Sequence, residues 1–327
     1  MTQIVKQNKP RIIPDTERVR ITRMGDIVEV QASSMRGKGG KIKRIDKYRF
    51  VDTETGEVKH FAQHNRKSRK ENYSSLQKTF RNAKEIINTN FQCVEFTTWL
   101  TLTYDEKMSD AKQFDKDFET FMKRIRRQFP NNKIKYFSAL DFGAKGGFHC
   151  HCLLFWDNFA PSFSEEDCRK LWKKGTMFVK SLKDHNSIRN IGAYLTSHLT
   201  DMPIEEYRQL HPRRKIDAED LKTVQTGDVE FSYKKIVKNA RLELYPPHFR
   251  IFRHSNDMKK PEVSYDDYGT IKEELNNRFY ELAYTGTIDI HNEDSNAIIS
   301  QQYEYYSLDS FRLNSFLEQE TFEPVKH

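Results

Sequence analysis

The sequence predicts an α+β fold: an antiparallel sheet with helices on one face, in the split order β-α-β-β-α-β, between a basic, strand-rich N-terminal extension and an acidic C-terminal one. Three observations predict it. From Val94 to Thr200, short runs rich in Thr, Tyr, Trp and Phe interleave with longer stretches whose apolar residues recur every three or four positions. A glycine-rich "GAKGG" joins two adjacent strand-like runs, as a hairpin turn would. Charge is divided between the ends: Met1–Lys70 carries 18 Lys and Arg against 8 Asp and Glu, and Pro261–His327 carries 4 against 14.

In chain order, "VRITRM" and "DIVEVQA" read as strands, and "YRFVDTETGEVKHFAQ" as a hairpin turning at Thr55-Gly56. Leu76, Phe80, Ala83 and Ile87 keep helical spacing and predict a helix over Tyr73–Asn88. "VEFTTWLTLTY" is a strand, with Thr101 and Thr103 on one face and Leu100, Leu102 and Tyr104 on the other. Ser109 is placed to cap a helix over Asp110–Gln128, with Phe114, Phe118, Phe121, Met122 and Ile125 inward and Pro130 closing it. "KIKYFSALDF" and "FHCHCLLFW" are strands. Ser164 starts a short helix, Glu165–Lys173, and "TMFVKSL" is the next strand. "SIRNIGAYLTSHLT" is a helix capped by Asn186 or Ser187, with Ile191, Leu195 and Leu199 facing inward. The order is that of ferredoxin-like and RRM-like domains, with helices on one sheet face and the other open to a ligand. Three segments are expected: a basic extension, 1–88; the α+β domain, 89–201; and a C-terminal region, 202–327, basic then acidic, partly helical or flexible.

Composition narrows the function. With 36% hydrophobic and 31% charged residues the 327-residue chain is polar, yet 23 Phe and 15 Tyr can build a core. No apolar run approaches the roughly 18–20 residues of a membrane span, and "MTQIVKQNKPRIIP" lacks a signal-peptide core, so no membrane partner is expected. Cys93, Cys150, Cys152 and Cys168 show no disulfide-scaffold spacing and suit a reducing cytoplasm. "RGKGGKIKRIDKYRF" and "NRKSRK" suit contacts to a DNA backbone. No Walker A pattern occurs, so no ATP-driven helicase is built in.

The row His149-Cys150-His151-Cys152 offers four metal-ligand types in sequence. Side chains alternate across a strand, so the histidines share one face and the cysteines the other, and a Cys₂His₂ zinc site within the row is geometrically unreasonable. If "GAKGG" is the turn, Phe142 faces Phe148 and Asp141 lies opposite His149, on the histidine face. One carboxylate and two imidazoles with open positions suit Mg²⁺ or Mn²⁺, with Zn²⁺ a third option. A one-residue slip in register would remove Asp141 from that face. Tyr194 lies off the Ile191/Leu195 stripe of its helix, and His198 follows it by four residues on the same helical face. A phenol near pKa 10 needs such help to act as a nucleophile.

"WLTLTY" (Trp99–Tyr104), "GGFHCHCLLF" (Gly146–Phe155) and "NIGAYLTSHLT" (Asn190–Thr200) resemble, in order and spacing, the three motifs of HUH endonucleases. Above all they resemble the rolling-circle replication initiators, the Rep proteins of bacterial plasmids and single-stranded DNA phages. The likeness covers about Asn88–Asp201, and "FRHSNDMKKP" resembles a downstream segment more faintly. It implies that His149, His151 and Asp141 hold Mg²⁺ or Mn²⁺ against a scissile phosphate. Tyr194 would attack that phosphate, forming a 5′-phosphotyrosyl link and freeing a 3′-OH primer. It further implies single-stranded or hairpin origin DNA as substrate, a host DNA polymerase and helicase as partners, and a bacterial cytoplasm as compartment. The sequence departs from the pattern at Ser197, where the family commonly has lysine; His198, or Lys180, stands nearest to replacing it. With one tyrosine in the motif, strand closure calls for another device, such as a homodimer. The rival readings are a catalytically impaired HUH domain kept for DNA binding or regulation, and a single-tyrosine transposase or relaxase.

Overall fold

The computed structural model describes residues 2–7, 10–34, 42–46, 48–61, 73–142, 147–180, 182, 191–218, 221–225, 233–246, 248–292 and 297–308. The chain divides into two compact units, 1–65 with 262–327, and 66–261. The units thus do not follow three consecutive segments, because the first and last parts of the chain pair strand to strand.

In chain order the first part supplies β1 (Thr2–Gln7), β2 (Arg18–Met24), β3 (Ile27–Ser33), β4 (Ile42–Arg44), β5 (Arg49–Asp52) and β6 (Val58–His60). The middle part supplies α1 (Tyr73–Asn90), β7 (Thr97–Thr103), α2 (Ala111–Gln128), β8 (Ile134–Phe142), β9 (Phe148–Trp156), α3 (Glu165–Trp172) and β10 (Met177–Lys180). It continues with α4 (Ile191–Thr200), β11 (Met202–Pro203), α5 (Ile204–Leu210), β12 (Leu221–Gln225), β13 (Tyr233–Val237) and β14 (Phe252–His254). The last part adds β15 (Glu262–Asp267), α6 (Tyr268–Asn277), β16 (Tyr280–Asn292) and β17 (Ala297–Leu308).

In the terminal unit the strands order as β1-β16-β17-β3-β2-β15, antiparallel throughout, beside a small β4-β5-β6 meander. The meander turns at Gly56, whose φ of 71° favours glycine. One face of the large sheet buries Val19, Ile21, Val28, Val30 and Ala32 against Tyr268, Ile271 and Leu275 of α6. The acidic tail is more ordered than its composition suggests: "SQQYEYYSL" is part of β17, not a helix or a flexible stretch. Its charge is misleading because Glu304 is buried, accepting hydrogen bonds from the Tyr268 hydroxyl (3.0 Å), the Tyr306 hydroxyl (2.8 Å) and Gln302 Nε2 (3.0 Å).

The central unit has the α+β order expected from the sequence. Its antiparallel sheet runs β10-β7-β9-β8-β14, so the four strands of the split motif keep the ferredoxin-like order and β14 extends the β8 edge. Helices α2 and α3 cover one face, where Leu100, Leu102, Leu154 and Trp156 meet Phe114, Phe121 and Leu171. The expectation of an open second face is corrected here. Trp99, Phe137, Leu153 and Phe155 point that way and bury against Ala83 and Ile87 of α1 and Ile191, Leu195 and Leu199 of α4. Strands apolar on both sides need cover on both. The cap of α2 also shifts by one residue: the Asp110 carboxylate, not Ser109, accepts from the Lys112 and Gln113 amides at 2.8 and 3.3 Å. Ser164 does cap α3, in a reciprocal pair with Asp167. Asn186 and Ser187 lie outside the described residues. Among the described residues no helix is long and apolar enough to cross a membrane.

Candidate functional site

The site begins with the register of the β8–β9 hairpin. Phe142 pairs with Phe148, Asp141 with His149, and Ala139 with His151; on the other side β7 sets Thr103 against His149 and Thr101 against His151. Paired residues share a face, so Asp141, His149 and Thr103 form one row and His151 and Thr101 lie in the row beside it. All are on the α1/α4 face. Cys150 and Cys152 alternate into the α2/α3 core, 1% and 0% exposed, and burial pushes both thiols far above their usual range.

His151 Nε2 lies 3.9 Å from Asp141 Oδ2, and its Nδ1 lies 3.3 Å from Thr101 Oγ1. The edge of the Trp99–His151 ring pair, with centroids 6.4 Å apart, closes the apolar side. Lys180 shares this face, its Nζ 5.0 Å from the centre of the Trp99 ring. Burial lowers the pKa of His149 below the usual 6.5, against the opposing pull of Asp141. A neutral imidazole keeps one ring nitrogen as a lone-pair donor.

Asp141 is buried and engaged by a residue that no local pattern signals. Arg241, in the 3₁₀ turn Ala240–Glu243, sets Nη1 3.1 Å from Asp141 Oδ2 and donates from Nη1 to the Phe142 carbonyl, also at 3.1 Å. The same guanidinium donates to both Glu206 oxygens, at 3.1 and 2.8 Å, and from Nε to the Asp201 carbonyl at 3.0 Å. One buried arginine therefore ties the end of β8 to α5 and to the residue just after α4. Tyr245 adds a second tie, its hydroxyl donating to the Leu199 carbonyl at 3.2 Å. Both partners lie far from the hairpin in sequence, so only the fold brings them in.

Helix α4 seats on α1 through a glycine. The Gly192 amide donates to Asn88 Oδ1 at 2.9 Å, and a Cβ at Gly192 would stand 2.8 Å from both that oxygen and the Lys84 carbonyl. With Ile191, Leu195 and Leu199 turned to the sheet, the backbone of Tyr194 and His198 runs along this same face. The side chains of Tyr194 and His198 lie outside the described residues.

The donor chemistry fits a divalent cation. Two imidazoles and a carboxylate face one space, and the two carboxylates of Asp141 and Glu206 against one guanidinium leave one negative charge uncompensated. A carboxylate has four lone-pair sites, so its contact with Arg241 leaves Asp141 acceptor capacity. Among the described residues no three His, Cys, Asp or Glu side chains already close into a coordination set. A cation held here would take His149 and His151 and share Asp141 with Arg241.

Residues 97–201 match the family described as Replication-associated protein ORF2. No curated protein and no solved structure matches the chain. The matched stretch is about a third of the chain and runs from the first residue of β7 to the residue after α4. It takes in Asp141, His149, His151 and Tyr194, and by that likeness the central unit is similar to a replication initiator of the Rep type.

Proposed function

We propose that the central unit nicks and rejoins single-stranded DNA at a replication origin through a 5′-phosphotyrosine on Tyr194. One observation carries the reading: the strand register puts Asp141, His149 and His151 on the sheet face against which the helix of Tyr194 packs. The replication-associated family match over the same residues supports it.

His149, His151 and Asp141 would hold Mg²⁺ or Mn²⁺, and a bound divalent cation supplies positive charge to a phosphate in transfer. Arg241 aims the Asp141 carboxylate, as partners of ligating carboxylates do. Tyr194 Oη attacks the phosphorus as its proton passes to a base, a role assigned to His198, four residues along the helix. The P–O3′ bond breaks, the 5′-phosphate stays on the tyrosine, and the 3′ oxygen leaves as a hydroxyl. Attack by a 3′-OH on the phosphotyrosine reverses the step without ATP. Lys180 is a cation on the same face, and with Ser197 at the usual lysine position it is the candidate to stabilise the phosphate. A host polymerase would extend the 3′-OH, a host helicase would unwind the template, and a second subunit would supply the tyrosine for closure. The setting is the cytoplasm of a bacterial host.

The test uses the full-length chain, Mn²⁺ and a pool of randomised single-stranded DNA labelled at its 3′ end. A labelled covalent adduct is expected on a denaturing gel, absent with Tyr194→Phe. The double variant His149→Ala, His151→Ala should lose the adduct yet retain most DNA binding, which rests on charge elsewhere. An undiminished adduct from Tyr194→Phe overturns the assignment.

A further inference from the structure

We propose that the terminal unit carries a second site of its own, a sheet face that binds single-stranded polynucleotide by holding phosphates with Arg18 and Arg20 and stacking a base on Tyr265. This goes beyond the nicking reading and does not depend on it, since every residue involved belongs to the terminal unit.

Alternation along β2 sends Val19 and Ile21 into the α6 core, so Arg18 and Arg20 emerge on the opposite face. Register extends that face across the sheet: Arg20 pairs with Tyr265 on one side and Gln31 on the other, and Gln31 pairs with Tyr303. The row reads aromatic, cation, amide, aromatic. Arg18, Arg20, Gln31, Ser33 and Tyr265 line a cavity of about 360 Å³, within the size range of small-ligand sites. Its groups are held in place. Arg20 Nη1 donates to Thr22 Oγ1 at 2.9 Å, and Gln31 Nε2 donates to the Tyr303 hydroxyl at 3.4 Å, which in turn donates to Gln301 at 2.6 Å.

Three features select the ligand. Two like charges two residues apart on one strand face repel each other, a cost that a bound polyanion removes. Tyr265 leaves 57% of its surface in solvent, and Tyr284, one row over through its pairing with Tyr305, leaves 58%. Exposed rings among arginines are stacking platforms for unpaired bases, which a duplex keeps stacked inside. The amide of Gln31 and the hydroxyl of Ser33 supply hydrogen bonds to a base edge.

The test is fluorescence anisotropy of the full-length chain with fluorescein-labelled oligothymidylate in EDTA, where nicking chemistry is off. Arg18→Gln with Arg20→Gln should weaken binding and reduce the slope of log K against log salt by about 1.4, from two phosphate contacts at about 0.7 each. Tyr265→Leu should weaken binding on the order of tenfold with the slope unchanged, and Tyr265→Phe should bind as the native chain does. A strand carrying 5-iodouracil should photocrosslink within the tryptic peptide 260–272. His149→Ala with His151→Ala should leave all of this unchanged, which separates this site from the nicking centre. Thermal melts identify any variant that fails to fold, and the crosslink on the native chain stands without variants. The proposal is overturned if Tyr265→Leu binds as tightly as native, if the arginine pair leaves the salt slope unchanged, if duplex DNA competes as well as single strand, or if the crosslink maps elsewhere.

Discussion

Replacing Arg241 with methionine is expected to cost the central unit about 3–5 kcal/mol, the range for truncating one partner of a buried ion pair. The guanidinium is 11% exposed, and the two carboxylates it serves, on Asp141 and Glu206, are 6% and 17% exposed. Methionine keeps much of the side-chain length but leaves both carboxylates without a counter-charge and the Phe142 and Asp201 carbonyls without their donor. At about 2–4 °C per kcal/mol for a unit of this size, the melting temperature in EDTA should fall by roughly 10 °C. Arg241→Lys should recover only part of the loss, because an ammonium cannot reproduce the planar fork to Glu206. Mn²⁺ should then raise the melting temperature of Arg241→Met more than that of the native chain, since the exposed negative charge strengthens cation binding. Differential scanning fluorimetry with and without Mn²⁺ makes both measurements. A loss below about 1 kcal/mol, or equal stabilisation of both proteins by Mn²⁺, would refute the reasoning.

Three further outcomes follow from the same geometry. Gly192→Ala forces a methyl to within 2.8 Å of Asn88 Oδ1 and the Lys84 carbonyl, so it should destabilise by about 1–3 kcal/mol and lower adduct yield by moving α4 off α1, both checked on one preparation. Iodoacetamide at pH 8 should modify Cys93 and Cys168 on the folded chain, and Cys150 and Cys152 only after unfolding, as mass spectrometry of the peptides would show. Because burial holds the folded pKa of His149 below 6.5, the unfolded chain takes up a proton first as pH falls. That contribution to stability is intact above pH 6.5 and lost below it, by at most about 1.4 kcal/mol per pH unit. Urea titrations in EDTA should show His149→Asn with the shallower pH slope through this window.

The parts of the fold that were legible in the sequence are those set by local periodicity. The two-residue alternation of "FHCHCLLFW" separates histidines from cysteines, and the tight turn fixes which residue of β8 faces which of β9, so Asp141 beside His149 follows from the chain itself. The covering of the second sheet face was harder to read. Trp99, Phe137, Leu153 and Phe155 carry that information, but they alternate with residues equally apolar, and a strand buried on both faces looks much like one buried on a single face. Arg241 and Glu206 were out of reach because their role depends on contacts 100 and 35 residues away in sequence. The C-terminal acids misled for a related reason: net charge cannot tell a solvated carboxylate from Glu304, which buries itself by accepting three hydrogen bonds. The one-residue shift from Ser109 to Asp110 reflects two adjacent residues that are both good caps.

The account's central claim is that Tyr194 becomes covalently bound to DNA beside the His149–His151 face. The most direct measurement is nuclease and trypsin digestion of the Mn²⁺-dependent adduct, followed by peptide sequencing in a mass spectrometer. Tyr194 lies in the tryptic peptide Asn190–Arg208, which also contains Tyr207, a buried residue of α5. The account predicts a phosphonucleotide on this peptide with fragment ions placing it at Tyr194; a nucleotide on Tyr207, on any other peptide, or on none would contradict it.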